Sequence, residues 1–424
     1  MLTTALESSH SLMSILAQAH SFVESLRRLS GRTATSWRQC PHCGSGNTIR
    51  HGSYTRRPFT REGRVVVPVQ RHRCRDCQRT YSEQSPDLVP RSWYSREVHR
   101  QAVDLWVHLR TSMRRAAEWL RSEIGHQERF SFWQAVRQEE AQREPCYLAA
   151  STVCRWLNKA GIVAQASVPR QLEGIACSGK LGVDGLWAKL RKGAKRVLLM
   201  LTDSVSGLVY PLVVATGEGY EAWESLFGRA IQAGLPLGEV QGITSDGAAG
   251  LASWIESHLP GVCQQRCVWH LWRGFGSSFG RLGEQAREEL QVLVHAVLDA
   301  SSHEAAEEAL GRLRVQRGGG KLWRELEELH EKSLAHLLPG MEGLIRVGPE
   351  WQWRDFRLRL SRGRNHGSPL RLERAGLVWG IYHNFTPAQW RSERKRRYKN
   401  PGRSPLEVAG SDPDPLSYLD ALQV

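Results

Sequence analysis

The chain has 424 residues, 41% of them hydrophobic, and a formal net charge of +15. That is enough material for two or three domains with sizeable cores, and no apolar run reaches the roughly 18–20 residues a membrane span needs. With an isoelectric point near 9.7, the excess of Lys and Arg points to a polyanionic partner, because each cation set against a phosphate releases a condensed counterion. The cations are clustered in RRLSGR, in RHRCRDCQR and above all in WRSERKRRYK, which holds Arg394, Lys395, Arg396 and Arg397. Such clusters read as nucleic-acid contact surfaces.

The N-terminus carries no basic region followed by an apolar block and a cleavage site, so an intracellular, cytoplasmic and nucleoid-associated location is expected. Residues 1–32 read as one amphipathic helix, with Leu12, Ile15, Leu16, Ala19, Phe22 and Leu26 at helical spacing. Nine cysteines in an intracellular chain argue for metal and isolated thiols and against a disulfide framework. Over 33–90, Cys40 and Cys43 form one Cys-x-x-Cys knuckle and Cys74 and Cys77 a second, separated by alternating β-type segments. Two knuckles on hairpins predict a zinc ribbon with one structural Zn²⁺, all four positions filled by protein. Arg71, Arg73, Arg75 and Arg79 crowd the second knuckle and make either a DNA-backbone contact or a solvated basic face.

Residues 91–165 are predicted helical. STVCRWLNKAG starts at a capping Ser151 and is expected to stop at Gly161. The order resembles a helix-turn-helix in which Arg155, Asn158 and Lys159 would face the groove, although about thirty residues stand where a turn should be.

From Leu181 the pattern changes. LGVDGLWAKL, KRVLLMLTDSV and SGLVYPLVVATG are three β-type segments, followed by helix, strand, helix and the predicted strand VCQQRCVWH. This is the order of the ribonuclease H-like fold, a mixed sheet with helices on both faces, here expected over 175–280. Asp184 sits within an apolar strand, and Asp246 ends another just before Gly247. Singly, each reads equally as a turn or helix cap. Together on neighbouring strands they favour a Mg²⁺ or Mn²⁺ site, because a buried carboxylate is costly without a cation.

VDG, then TSDG, a helix and CVWH together resemble the DDE transposases of bacterial insertion sequences, in their Mutator-like branch, over about Leu181 to Gly410. The resemblance implies a DNA transposase that cleaves transposon ends and joins the 3′-hydroxyl to target DNA with two Mg²⁺ or Mn²⁺ ions, working on terminal repeats and target DNA as a homo-oligomer. It makes Cys267, His270 and Arg273 supports of the active site and not zinc ligands. It also implies an all-helical insertion, matched by 281–337, with the core resuming over 338–390 before a basic tail at 391–424. In this family the third acid follows the insertion. GMEGLIR nominates Glu342, with Glu350 and Asp355 as alternatives, although Leu338 and Pro339 depart from the usual residues before it. Two rival readings are a catalytically decayed DNA-binding protein and a ribonuclease H-like nuclease that cuts without joining.

Overall fold

The computed structural model describes residues 39–424 apart from 62, 84, 136–147, 191–192, 281, 317–318, 363–365, 388–399, 401, 412–416 and 424. The expected N-terminal helix and the cluster Arg394, Lys395, Arg396 and Arg397 lie outside the described residues. The chain divides into two compact units, the boundary falling after Val98, with a short segment from Gln127 assigned to the first.

The first unit is built of short antiparallel strands. β1 (Thr48–Arg56), β4 (Val67–Cys74) and β5 (Thr80–Ser82) form one three-stranded sheet in the order β1-β4-β5, and β2 (Phe59–Thr60) pairs with β3 (Gly63–Arg64). The core around the cysteines is small, consisting of Cys40, Cys74 and Tyr81 with Cys77 against them.

In the second unit, α1 (Arg96–Val107), which begins in the first, is followed by α2 (Met113–Ala135) and α3 (Ala150–Gln171). The expected stop at Gly161 is not observed. Gly161 lies in the middle of α3, where a Cβ would stand 2.3 Å from the Cβ of Arg374. The glycine permits close helix packing and caps nothing.

A five-stranded mixed sheet follows, made of β6 (Lys180–Lys189), β7 (Lys195–Asp203), β8 (Val213–Ala215), β9 (Gly242–Ser245) and β10 (Cys263–Arg266), in the order β10-β9-β6-β7-β8. β6, β7 and β8 are antiparallel neighbours, whereas β9 and β10 run parallel to β6. β7 is apolar on both faces and is buried from Val197 to Asp203, as a strand covered on both sides must be. The third β-type segment shrinks to three residues plus a bridge from Val209 to Thr202. Pro211 between them has no N–H for the ladder.

α4 (Tyr220–Gln232) and α5 (Ala249–His258) alternate with the last strands. The expected strand VCQQRCVWH ends at Arg266, and His270 instead lies on α6 (Val268–Gly274). Beyond the short α7 (Gly276–Phe279), the helices α8 (Glu284–Leu298), α9 (His303–Val315) and α10 (Gly320–Ser333) share a second core. It includes Leu290, Val294, Leu313 and Leu326, and takes Leu271 and Phe275 from α6 and the residue that follows it.

α11 (Glu350–Arg362) and α12 (Pro369–Phe385) follow, and the short α13 (Pro405–Val408) and α14 (Ser417–Ala421) close the unit. α12 is buried almost all round. It is pinned to the sheet edge by Asn384, whose side chain accepts from Val209 N and donates to Val209 O, each at 2.8 Å. Its Gly376 and Gly380 lie against Leu198 and Leu212. Among the described residues no helix is long and apolar enough to cross a membrane.

Candidate active site and thiol cluster

Asp184 lies mid-strand on β6, opposite Met200 of β7, and is only 4% exposed. It is therefore not a turn cap. β6 and β9 pair in parallel with Gly182 level with Thr244, and continuing that register sets Asp246 level with Asp184 on the same face. Asp246 Oδ1 accepts from Ala248 N at 2.9 Å, a local turn bond, and the N-cap of the following helix is Ala248 and not Asp246.

The acid that meets Asp184 is Glu350. One ligand atom from each of Asp184, His270 and Glu350 lies within 4.8 Å of the others, and His270 Nε2 stands 3.4 Å from Glu350 Oε1. Burial, then the Glu350 carboxylate and a hydrogen bond to it, push Asp184 up to about 9, with Asp246 adding to the effect. Burial holds His270 below the usual imidazole range against the pull of Glu350 and Asp246, and its Nδ1 is buried without a hydrogen-bond partner.

Glu342 is not brought to this cluster. It sits in an exposed turn, its Oε1 accepting from Gly340 N at 3.2 Å, and the cation acting on it is Lys180. Lys180 begins β6, four residues or about 13 Å from Asp184 along the strand. Asp355 is committed elsewhere, bonding Arg110 at 2.7 Å, Arg359 at 2.6 Å and Trp379 Nε1 at 2.8 Å. In the same helix, α11, Trp353 and Arg359 are buried.

The path from α10 to Glu350 explains its position. Thr244 Oγ1 donates to Ile345 O at 2.5 Å, Val268 N to Arg346 O at 3.0 Å, and Gly348 N to Cys267 Sγ at 3.3 Å. Ile345 packs where Gly182 has no side chain. The segment is thereby laid across β6, β9 and the start of α6, and α11 begins with Glu350 beside Asp184. Gln265 ties the end of α10 and the turn after it to β10, donating to Ser333 O at 2.6 Å and accepting from His336 N at 2.9 Å.

Arg273 is exposed and lies over the Trp269 ring at 5.2 Å, lining an open pocket of about 470 Å³ with Trp272 and Arg287. Its charge acts on His270 and helps to lower that imidazole. Sequence reasoning missed Glu218. Burial, then Asp246, raise its carboxyl, and it packs where Gly185 lacks a side chain. No local motif marks it.

In the first unit the four thiols of Cys40, Cys43, Cys74 and Cys77 lie within 4.8 Å of one another. The Cys40–Cys77 and Cys43–Cys74 separations are both 3.6 Å, close to the roughly 3.8 Å edge of a tetrahedron with 2.3 Å metal–sulfur bonds. The cluster could hold a metal ion. Arg73 and Arg75 are exposed beside it, Arg73 donating to Gln78 Oε1 at 2.8 Å. On α3, Arg155 and Lys159 are exposed, but Asn158 Oδ1 accepts from Arg374 at 2.9 Å and so serves helix packing.

No curated protein matches the chain. Residues 206–342, a span that takes in Asp246 and QRCVWH and stops short of both Asp184 and Glu350, match the family described as Transposase, Mutator family, and this match supports a Mutator-like transposase of an insertion sequence.

Proposed function

We propose that the protein is a DDE-type DNA transposase with a ribonuclease H-like catalytic core, in which Asp184, Asp246 and Glu350 are the three acids. The observation that carries this reading is the meeting of Asp184 and Glu350 beside His270. The sheet order β10-β9-β6-β7-β8, three antiparallel strands with two more parallel to the first, supports the fold assignment.

The residues fit divalent cations. Burial first, and then the neighbouring Glu350 carboxylate, disfavour the charged form of Asp184, and both penalties are relieved by a cation with a taste for oxygen. Asp184, Asp246 and Glu350 would hold the Mg²⁺ ions, which when bound supply charge neutralisation and an activated water for in-line phosphoryl transfer. Asp184, on a strand buried between neighbours, gives the site a rigid origin. Glu350 completes it only once the preceding segment is docked, so assembly of the insertion and assembly of the site are coupled. His270 faces the Glu350 carboxylate and orients it.

The chemistry proposed is hydrolysis at a transposon end, in which water adds to phosphorus and a strand with a free 3′-hydroxyl leaves. That hydroxyl then attacks a target phosphodiester, displacing the target's own 3′-oxygen. The scheme needs no covalent enzyme intermediate. We assign the four thiols to one structural Zn²⁺, with the exposed Arg73 and Arg75 of the ribbon and the basic run at Arg394, Lys395, Arg396 and Arg397 on DNA.

The test uses a labelled duplex carrying the flanking end sequence, the protein, Mg²⁺ or Mn²⁺ and a plasmid target. Joined products from the wild type, absent in Asp184→Ala and Asp246→Ala with end binding retained, are expected. Cleavage by Asp184→Ala overturns the assignment, binding without cleavage in either metal favours the decayed protein, and nicking without joining favours the nuclease.

A further inference from the structure

Arg266 is the one residue of QRCVWH whose side chain has no visible task. It ends β10, paired with Ser245 of β9. Its guanidinium crosses the backbone of Gly247, with one terminal nitrogen 0.9 Å from where a Cβ of residue 247 would stand. Gly247 is therefore demanded twice, by its φ of +80°, which side chains resist, and by the arginine lying in its notch.

The Arg266 side chain makes no hydrogen bond or ion pair with the described residues, and its Nε is buried without a partner. That is costly for a guanidinium, which carries five donors and normally satisfies them on carboxylates or phosphates. The Asp246 carboxylate acts on it electrostatically, but not within ion-pair distance. Its own field reaches His270. A stranded, partly desolvated cation that feels Asp246 and acts on His270 lacks only an anion with oxygens to offer.

We propose that Arg266 binds a non-bridging oxygen of a DNA phosphate at the catalytic site, and that Gly247 is the notch that aims it there. This deepens the transposase reading and rests on it. A planar fork suits a phosphate better than an ammonium does, and it would grip the strand at the edge of the acidic cluster, where the DNA meets the most repulsion.

The test takes full-length wild type, Arg266→Gln, Arg266→Lys and Gly247→Ala. End duplexes carry a single uncharged methylphosphonate at each phosphate flanking the cut in turn. In the wild type, one position should lower cleavage by roughly 10- to 100-fold, the worth of one charged hydrogen-bonded contact. Arg266→Gln and Gly247→Ala should be slowed by a similar factor on normal DNA and be indifferent to the methylphosphonate at that position. Arg266→Lys should recover part of the rate. A merely structural Arg266 would slow cleavage while leaving the methylphosphonate penalty intact, and that result overturns the proposal. So does Arg266→Gln cleaving at the wild-type rate. Neither result touches the acid assignment, which fails separately if Asp184→Ala cleaves.

Discussion

Cys267 Sγ accepts a hydrogen bond from Gly348 N at 3.3 Å. This single contact ties the residue that follows β10 to the turn that delivers Glu350. The thiol is 1% exposed, and burial raises its pKa, which favours the neutral thiol as the acceptor of this bond.

Replacing it should therefore disturb Glu350 without disturbing DNA binding. Cys267→Ala removes a weak acceptor and leaves the buried Gly348 amide unpaired, at a cost of about 1–3 kcal/mol. End binding should be unchanged and the cleavage rate should drop roughly tenfold or more, with Cys267→Ser recovering part of it. Single-turnover rates and end affinities for the three proteins check this.

Metal binding should release a proton. With Asp184 pushed up to about 9, the metal-free cluster keeps a proton at neutral pH, shared toward Glu350. Mg²⁺ affinity should then rise with pH up to about 9. The same shift sets the sign for stability. A carboxyl raised above its unfolded value near 4 binds its proton more tightly when folded, so the metal-free protein should lose stability as pH climbs from about 4 to about 9. Calorimetry in buffers of different ionisation heat, and melting against pH, should show both effects in the wild type. Asp184→Asn should lack them.

Gly161 should tolerate no side chain. A Cβ there meets Arg374 Cβ at 2.3 Å and its carbonyl oxygen at 2.8 Å, so α3 and α12 must separate. Gly161→Leu is expected to destabilise the second unit by about 1–3 kcal/mol or more, well beyond the roughly 1 kcal/mol gain in helix propensity. Denaturant unfolding measures it.

The thiol cluster should matter more to its unit than its size suggests, because Tyr81 is the only other side chain in the core around it among the described residues. A core so small gains its stability from the metal. One zinc per chain should be found by elemental analysis. Chelation or Cys74→Ala should expose this unit to protease while the second unit remains resistant.

How much of this was legible in the sequence follows from the range of the forces involved. The strands around Asp184 and Asp246 were readable because an apolar run with period two, interrupted by one acid, is a local signal. So was the thiol cluster, whose spacing is itself local. Glu350 was not nominated first because what brings it to Asp184 is long-range, namely Thr244 to Ile345, Val268 to Arg346 and Cys267 to Gly348. Pro349 followed by an acid in a first helical turn was a usable sign of a helix start, while the motif around Glu342 drew the assignment eight residues early. Gly161 misled for the reverse reason. Local capping logic favours a stop, but packing against Arg374 requires a glycine inside the helix.

The measurement that tests the central claim most directly is cleavage and joining of a labelled end duplex in Mg²⁺ by Glu350→Gln and Glu342→Gln, run beside wild type and Asp184→Asn with end binding measured on each. Glu350→Gln should bind ends normally and lose cleavage as completely as Asp184→Asn, while Glu342→Gln stays near the wild-type rate. Full activity in Glu350→Gln, or its loss in Glu342→Gln alone, would contradict the account.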